Sequence, residues 1–325
     1  MIRISNNKYR DIDRLNEEHC LKVKAGIITR LNNSLTSKTI SKCQHEFIHA
    51  RIDIILKGKP DELVSISQHY KSYCNARRCT NITKGLTGVF SYKKFSKKHM
   101  TNYCAYNLAS ALDVRVCPYC NRQYTFTVVT ATENISRPEF DHFFSQSDYP
   151  LLSMSFYNLI PSCKICNSTL KHTKKFTLEK HIHPYEHGFD NAVKFTYYPK
   201  DAASAIGMGN NIEIRMDIDD DHSKAVQLKN NVKVFKLEDI YQGHADIVSE
   251  IVRKFYMSDG RYLEMLYKNF PIGAYEDLYR LAFGNYFLNE HLDQRILSKL
   301  TKDIVSYLDF VLPVAIDDPD TSLPD

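Results

Sequence analysis

Apolar residues recur at three- and four-residue spacing through IDRLNEEHCLKVKAGIITRL (12–31) and again through HEFIHARIDIILKG (45–58), which predicts helices across most of residues 8–57. Gly58 and Pro60 end the second of these. The helical pattern continues through 61–115. From about residue 116 to 190 it breaks into short β-rich runs crowded with cysteine, histidine, proline and tyrosine. NAVKFTYY (191–198) and NIEIRMDI (211–218) read as two strands joined by a GMGNN turn. Helical spacing returns in FKLEDIYQGHADIVSEIVRKFY, RYLEMLYKNF, YEDLYRLAFGNYF and QRILSKLTKDIVSYLDFVL, before an acidic, proline-containing tail (316–325) expected to fray. The pattern therefore predicts an α+β, mainly α-helical chain with three regions: a helical region over 1–110, an irregular cysteine-rich module over 111–190, and a β-hairpin followed by helices over 191–325.

Composition narrows the function classes. The chain has 325 residues, 43% of them hydrophobic, enough to bury a sizeable core, and its length alone allows about two domains. No run approaches the ~18–20 apolar residues that a membrane span needs. The start, MIRISNNKYRDIDR, lacks the apolar run of a secretory signal, so the expected location is cytoplasmic. The net charge of +5 is unevenly spread: +12 over 1–110, zero over 111–190 and −7 over 191–325. A basic front end can attract a polyanion, or can simply be a solvated surface. There is no G-x-x-x-x-G-K-[ST] phosphate loop and no G-x-G-x-x-G dinucleotide loop.

Candidate chemistry concentrates in residues 117–175. Cys117 and Cys120 form one C-x-x-C pair, and Cys163 and Cys166 form another. Four thiolates complete a tetrahedral zinc ion with no open position, the pattern of a structural site. The 42 residues between Cys120 and Cys163 exceed the ~15–20 of a compact zinc ribbon, so zinc would clamp the ends of an inserted module. Two unrelated pairs of buried thiols are the other reading. Inside the module, Asp141 and His142 are adjacent on a short β-type run and point to opposite faces. Residues 155–160 read as a second strand, and CKICNSTLKHTKK as a helix that puts Asn167 and Lys171 on one face. Weaker signals are His181, His183 and His187, expected to be ordinary loop histidines, and Asp217 with Asp219, Asp220 and Asp221, expected to form a solvated turn. Cys20, Cys43, Cys74, Cys79 and Cys104 show no metal spacing; Cys74 and Cys79, five apart, read as buried thiols.

Asp141-His142, Asn158 and Asn167, flanked by the C-x-x-C pairs, resemble the HNH endonucleases (the ββα-metal, or His-Me finger, family) in the variant that ends in Asn. The run D-H-F-F-x-x-S-x-Y-P-L-L-S-x-S-x-Y-N-L-I-P-S-C-K-I-C-N-S is closer still to the PtuB-type HNH subunits of Septu and retron anti-phage systems. The close likeness covers 117–187 and departs at Gln146, where many relatives carry lysine. The resemblance implies a zinc-clamped ββα module in which His142 takes a proton from the attacking water. Asp141 and Asn167 would hold one divalent cation, Mg²⁺ by preference, and Asn158 would position the His142 loop. Lys164 and Lys171 would contact phosphate. It also implies a DNA substrate, a PtuA-like ATPase partner and membership of a larger defence complex. The reading from another class is a zinc-stabilised nucleic-acid-binding or structural subunit without catalysis.

Overall fold

The computed structural model describes residues 1–7, 10–79, 81–270 and 274–312, so the acidic tail lies outside the described residues. The chain is α+β, about half helical, with three two-stranded antiparallel sheets among the described residues. It groups into two compact units. One comprises residues 4–115 and 125–186; the other comprises 1–3, 116–124 and the chain from 187. The three regions read from composition do not map onto these one to one, because the basic helices and most of the cysteine-rich module share a unit.

In the unit formed by 4–115 and 125–186, helix α1 (Ile12–Thr36) starts where the Asp11 carboxylate accepts the Arg14 N–H. It buries a stripe at four-residue spacing: Leu15, His19, Val23, Ile27 and Leu31. Helix α2 (Lys42–Lys57) begins with a Ser41–Gln44 capping box and buries Phe47, Ile48, Ile52 and Ile55. Pro60, which was expected only to end α2, also opens α3 (Pro60–Ala76), where its missing N–H costs nothing. Helices α1, α2 and α3 pack in sequence. Cys43, near the start of α2, is disulfide-bonded to Cys79, just past α3, with Cα atoms 6.9 Å apart. This corrects the reading of Cys79 as a buried thiol. A connection of two residues turns α3 back along α2 and brings those distant ends together. Cys20, Cys74 and Cys104 are buried thiols, as expected of Cys74. Short helices α4 (Leu86–Val89) and α5 (Tyr92–Phe95) and helix α6 (Ala105–Leu112) follow.

Strands β1 (Val128–Val129) and β2 (Asn134–Ser136) form a small outer ladder. The inner one pairs β3 (Glu139–His142) with β4 (Leu159–Ser162), placing Asp141 opposite Ile160 and His142 opposite Leu159. The second strand starts later than expected, because Phe156–Asn158 form a 3₁₀ turn. After β4 comes a seven-residue π-helix, Ile165–Lys171, packed on β3. The long β3–β4 loop rests on the N-terminal helices: a ring nitrogen of His19 bonds the Met154 carbonyl at 2.9 Å, and Ser155 Oγ donates to the Ile55 carbonyl.

In the other unit, β5 (Val193–Pro199) and β6 (Ile212–Ile218) pair from Val193↔Ile218 to Pro199↔Ile212. Their connection is longer than the predicted turn and holds helix α7 (Ala202–Ala205). Helices α8 (Ala225–Val234), α9 (Leu237–Tyr241), α10 (Ala245–Met257), α11 (Tyr262–Asn269), α12 (Tyr275–Phe283) and α13 (Ser298–Leu308) complete it. Buried Asp303 on α13 pairs with Lys299 one turn earlier and accepts the Phe195 N–H of β5 at 2.8 Å.

Candidate active site

A cleft of about 490 Å³ opens where β3, the π-helix and α5 meet; Asp141, His142, Asn167 and Lys171 all line it. Its geometry follows from the two-residue period of a strand. Glu139 and Asp141 share one face of β3, and the π-helix presents Asn167 and Lys171 to them.

His142 is 7% exposed. Its Nε2 lies 3.0 Å from the Ser153 carbonyl oxygen, which only accepts, so the proton of the neutral ring sits on Nε2. Nδ1 then carries the lone pair and accepts from the Gln146 side-chain amide at 3.0 Å. The Tyr92 ring stands perpendicular to the imidazole, with centroids 4.6 Å apart. Burial lowers the imidazole pKa to about 4, and the Lys171 charge acts in the same direction. The bond to Ser153 and the Asp141 charge oppose that shift. At neutral pH the ring is an uncharged base whose lone pair is on Nδ1.

Asp141 and Lys171 form a buried ion pair, with side chains 5% and 4% exposed. Lys171 Nζ donates to both carboxylate oxygens, at 2.6 and 2.8 Å, and to the His142 carbonyl at 2.6 Å. Burial pulls the ammonium pKa down and Asp141 pushes it back up. Lys171 was read as a phosphate contact on an open helix face; here its charge is engaged by Asp141 beneath the surface. Lys164 is exposed and does not line the cleft.

Asn167 Nδ2 donates to Glu139 Oε2 at 2.9 Å, and Ser168 Oγ donates to the same oxygen at 2.7 Å. A carboxylate cannot donate, so the amide must face Glu139 with its nitrogen, which turns Asn167 Oδ1 away from it. Asn158 lies beneath the cleft and is fully buried. Its Oδ1 accepts the Phe144 N–H at 2.7 Å, and its Nδ2 donates to the Phe144 and Leu152 carbonyls at 3.1 and 2.9 Å. The amide thus ties both ends of the loop that carries Ser153.

The four sulfurs of Cys117, Cys120, Cys163 and Cys166 lie within 4.8 Å of one another and are buried. Tetrahedral zinc with ~2.3 Å Zn–S bonds sets its sulfurs ~3.8 Å apart, inside that bound, so the donor set fits a structural zinc ion. In the Cys117–Cys120 turn, Asn121 takes a left-handed conformation (φ 51°) and its N–H donates to the Cys117 carbonyl at 2.8 Å. In the Cys163–Cys166 turn, the Cys166 N–H points at Cys163 Sγ, 3.4 Å away. Among the described residues this is the one such group of three or more His, Cys, Asp or Glu. His181 instead stacks on Phe176 at 3.9 Å, and Asp220 pairs with Lys229.

Sequence reading missed Glu139 and Tyr92. The period of a strand could have flagged Glu139, two residues before Asp141. Nothing local marks Tyr92, which reaches the cleft from some 50 residues upstream. Compared with known proteins, the chain matches no family model, no curated protein and no solved structure.

Proposed function

We propose that this chain is a metal-dependent HNH endonuclease that hydrolyses DNA phosphodiester bonds. The observation that carries the reading is His142: a buried, neutral imidazole whose proton is fixed on Nε2 and whose Nδ1 is capped by the Gln146 amide, in a polar cleft that Asp141 and Asn167 also line. Hydrolysis requires a base to take a proton from water, neutralisation of the phosphate, and relief of charge on the leaving oxygen. His142 Nδ1 does the first once water replaces the Gln146 amide. Ser153 keeps the ring in the correct tautomer, and Asn158 keeps Ser153 in place.

The residues also suit a divalent cation. Asp141 supplies a carboxylate and Asn167 an amide oxygen, both hard donors of the kind Mg²⁺ takes. The spot already draws positive charge, since the Lys171 ammonium sits between Asp141 and a backbone carbonyl. When bound, the cation supplies charge neutralisation on the phosphate and on the departing 3′-oxygen. Lys171, buried on Asp141 and the His142 carbonyl, would hold the carboxylate in place from beneath. The cysteine cluster would hold zinc and fix the start of the π-helix, where Cys166 precedes Asn167.

The sequence likeness to anti-phage subunits extends the reading to an effector nuclease in a defence complex, controlled by a PtuA-like ATPase. The lack of any nucleotide loop in this chain is in keeping with a separate ATPase. A second reading has one observation of its own: Gln146 covers His142 Nδ1 and Lys171 covers Asp141, so both groups are internally satisfied. A zinc-stabilised binding or structural subunit has no need of free catalytic groups. Incubation of plasmid with purified protein and Mg²⁺, beside His142→Gln and with EDTA, separates the two. The endonuclease reading expects cleavage that EDTA and the substitution each abolish; DNA binding unchanged by the substitution, with no cutting in any preparation, supports the other.

A further inference from the structure

From residue 63 to residue 112 the chain carries no acidic residue and eight Lys or Arg. Four of the eight, Lys93, Lys94, Lys97 and Lys98, sit on α5 and the turn after it, and all four are exposed. Lys93 and Lys94 lie on α5 itself and Lys97 and Lys98 in the irregular segment just after it, while Phe95 between the two pairs is buried. No ion pair among the described residues uses any of them.

Position makes this more than a solvated basic face. Tyr92 and Ser96, which bracket the first two lysines, line the His142 cleft. The segment is held there: Arg137 Nη2 donates to the Ser96 carbonyl at 3.2 Å, and Asn134 Nδ2 donates to the His99 carbonyl at 2.9 Å. Across the cleft, the lining includes His172 and Lys174. Taking the cleft as the cutting site from the reading above, we propose that residues 93–98 are the rail that grips the sugar-phosphate backbone of duplex DNA and leads it to His142.

The partner's chemistry follows from what the surface offers. Lysine ammoniums on flexible stems contact phosphates without reading bases, and duplex DNA presents the densest row of phosphates, one charge per ~1.7 Å of axis. Single strands are gripped by exposed aromatic rings that stack on bases. Here Phe95 is buried and the Tyr92 ring is turned onto His142, so the rail offers no stacking platform.

The test is fluorescence anisotropy of a labelled duplex with the full chain, in EDTA so that nothing is cut, over a series of salt concentrations. The parent is compared with K93A/K94A/K97A/K98A and with the matching quadruple arginine variant. Each lost phosphate contact removes ~0.9 from the slope of log affinity against log salt. The alanine variant should therefore lose about 3 to 4 from that slope and bind at least tenfold more weakly, while the arginine variant keeps the parent's slope. The rail is wrong if the alanine variant binds as the parent does, if the parent does not bind duplex DNA, or if it prefers single-stranded DNA or duplex RNA. Cleavage with Mg²⁺ is scored separately. A parent that cuts while its alanine variant binds normally sinks the rail and leaves the nuclease reading standing. The expected loss of slope in a protein that never cuts does the reverse.

Discussion

At the scale of single residues, the site works by fixing which atom of each side chain faces the cleft. The Ser153 carbonyl decides the tautomer of His142, and the Glu139 carboxylate decides the rotation of Asn167. His142→Gln can still donate to Ser153 but cannot take a proton, so its initial cleavage rate should fall by ~10²–10⁴. Glu139→Ala frees Asn167 to rotate. It should raise the Mg²⁺ concentration for half-maximal cleavage by ~10–100-fold, as is typical when a residue that orients a metal ligand is lost. Glu139→Gln keeps an acceptor and should lose less. Lys171→Met strands the buried Asp141 charge and should cost about 3–5 kcal/mol in a denaturant titration. If Asp141 belongs to a cation site, Mg²⁺ should raise the melting temperature of Lys171→Met more than that of the parent, because the ion replaces the lost ammonium. Equal shifts would remove Asp141 from that role. Asp141, His142, Asn158 and Asn167 were singled out by their order around two cysteine pairs, whereas Glu139 was not. Their partners were not legible: Lys171 reads as a surface lysine until the seven-residue π-helix turns it onto β3.

Among the elements, those with a strong period were the legible ones. The stripe of α1 at four-residue spacing and the alternation of β5 and β6 needed only local sequence. Strand β4 was placed too early because Phe156 and Tyr157 favour strands, yet with Asn158 they form the 3₁₀ turn that lets Asn158 reach back to Phe144. Tertiary hydrogen bonding overrode the local preference there. Helix α1 also carries a pH dependence. His19 is fully buried between the Tyr103 hydroxyl and the Met154 carbonyl, and burial lowers its pKa to about 4. A depressed imidazole pKa means that the unfolded chain takes up the proton first. The contribution is therefore complete above the unfolded value near 6.5 and is lost as pH falls toward 4. That loss amounts to roughly 3 kcal/mol for a shift of this size. Unfolding free energies measured from pH 7 to pH 4 should fall less steeply for His19→Gln than for the parent. Parallel curves would show that His19 does not titrate as described.

For the whole molecule, the cysteine spacing carried the most information and the charge map came next. Two C-x-x-C pairs announced a four-sulfur cluster across 42 intervening residues, and the four sulfurs converge. Purified protein should contain one zinc per chain. A chelator strong enough to remove it should lower the melting temperature by several degrees, since the binding energy of structural zinc is folding energy. Protein equally stable without metal would reduce the cluster to packed thiols. The disulfide between Cys43 and Cys79 and the approach of α5 to the cleft were invisible in sequence, because the first depends on how α3 folds back along α2 and the second on how α5 meets a strand far along the chain. Whether the His142 imidazole is the base of a Mg²⁺-dependent phosphodiester hydrolase is read directly from the rate of supercoiled-plasmid nicking by parent and His142→Gln proteins of equal zinc content. The expected result is Mg²⁺-dependent nicking by the parent and a rate at least a hundredfold lower for the variant; equal rates for the two, or nicking that EDTA leaves unchanged, would contradict it.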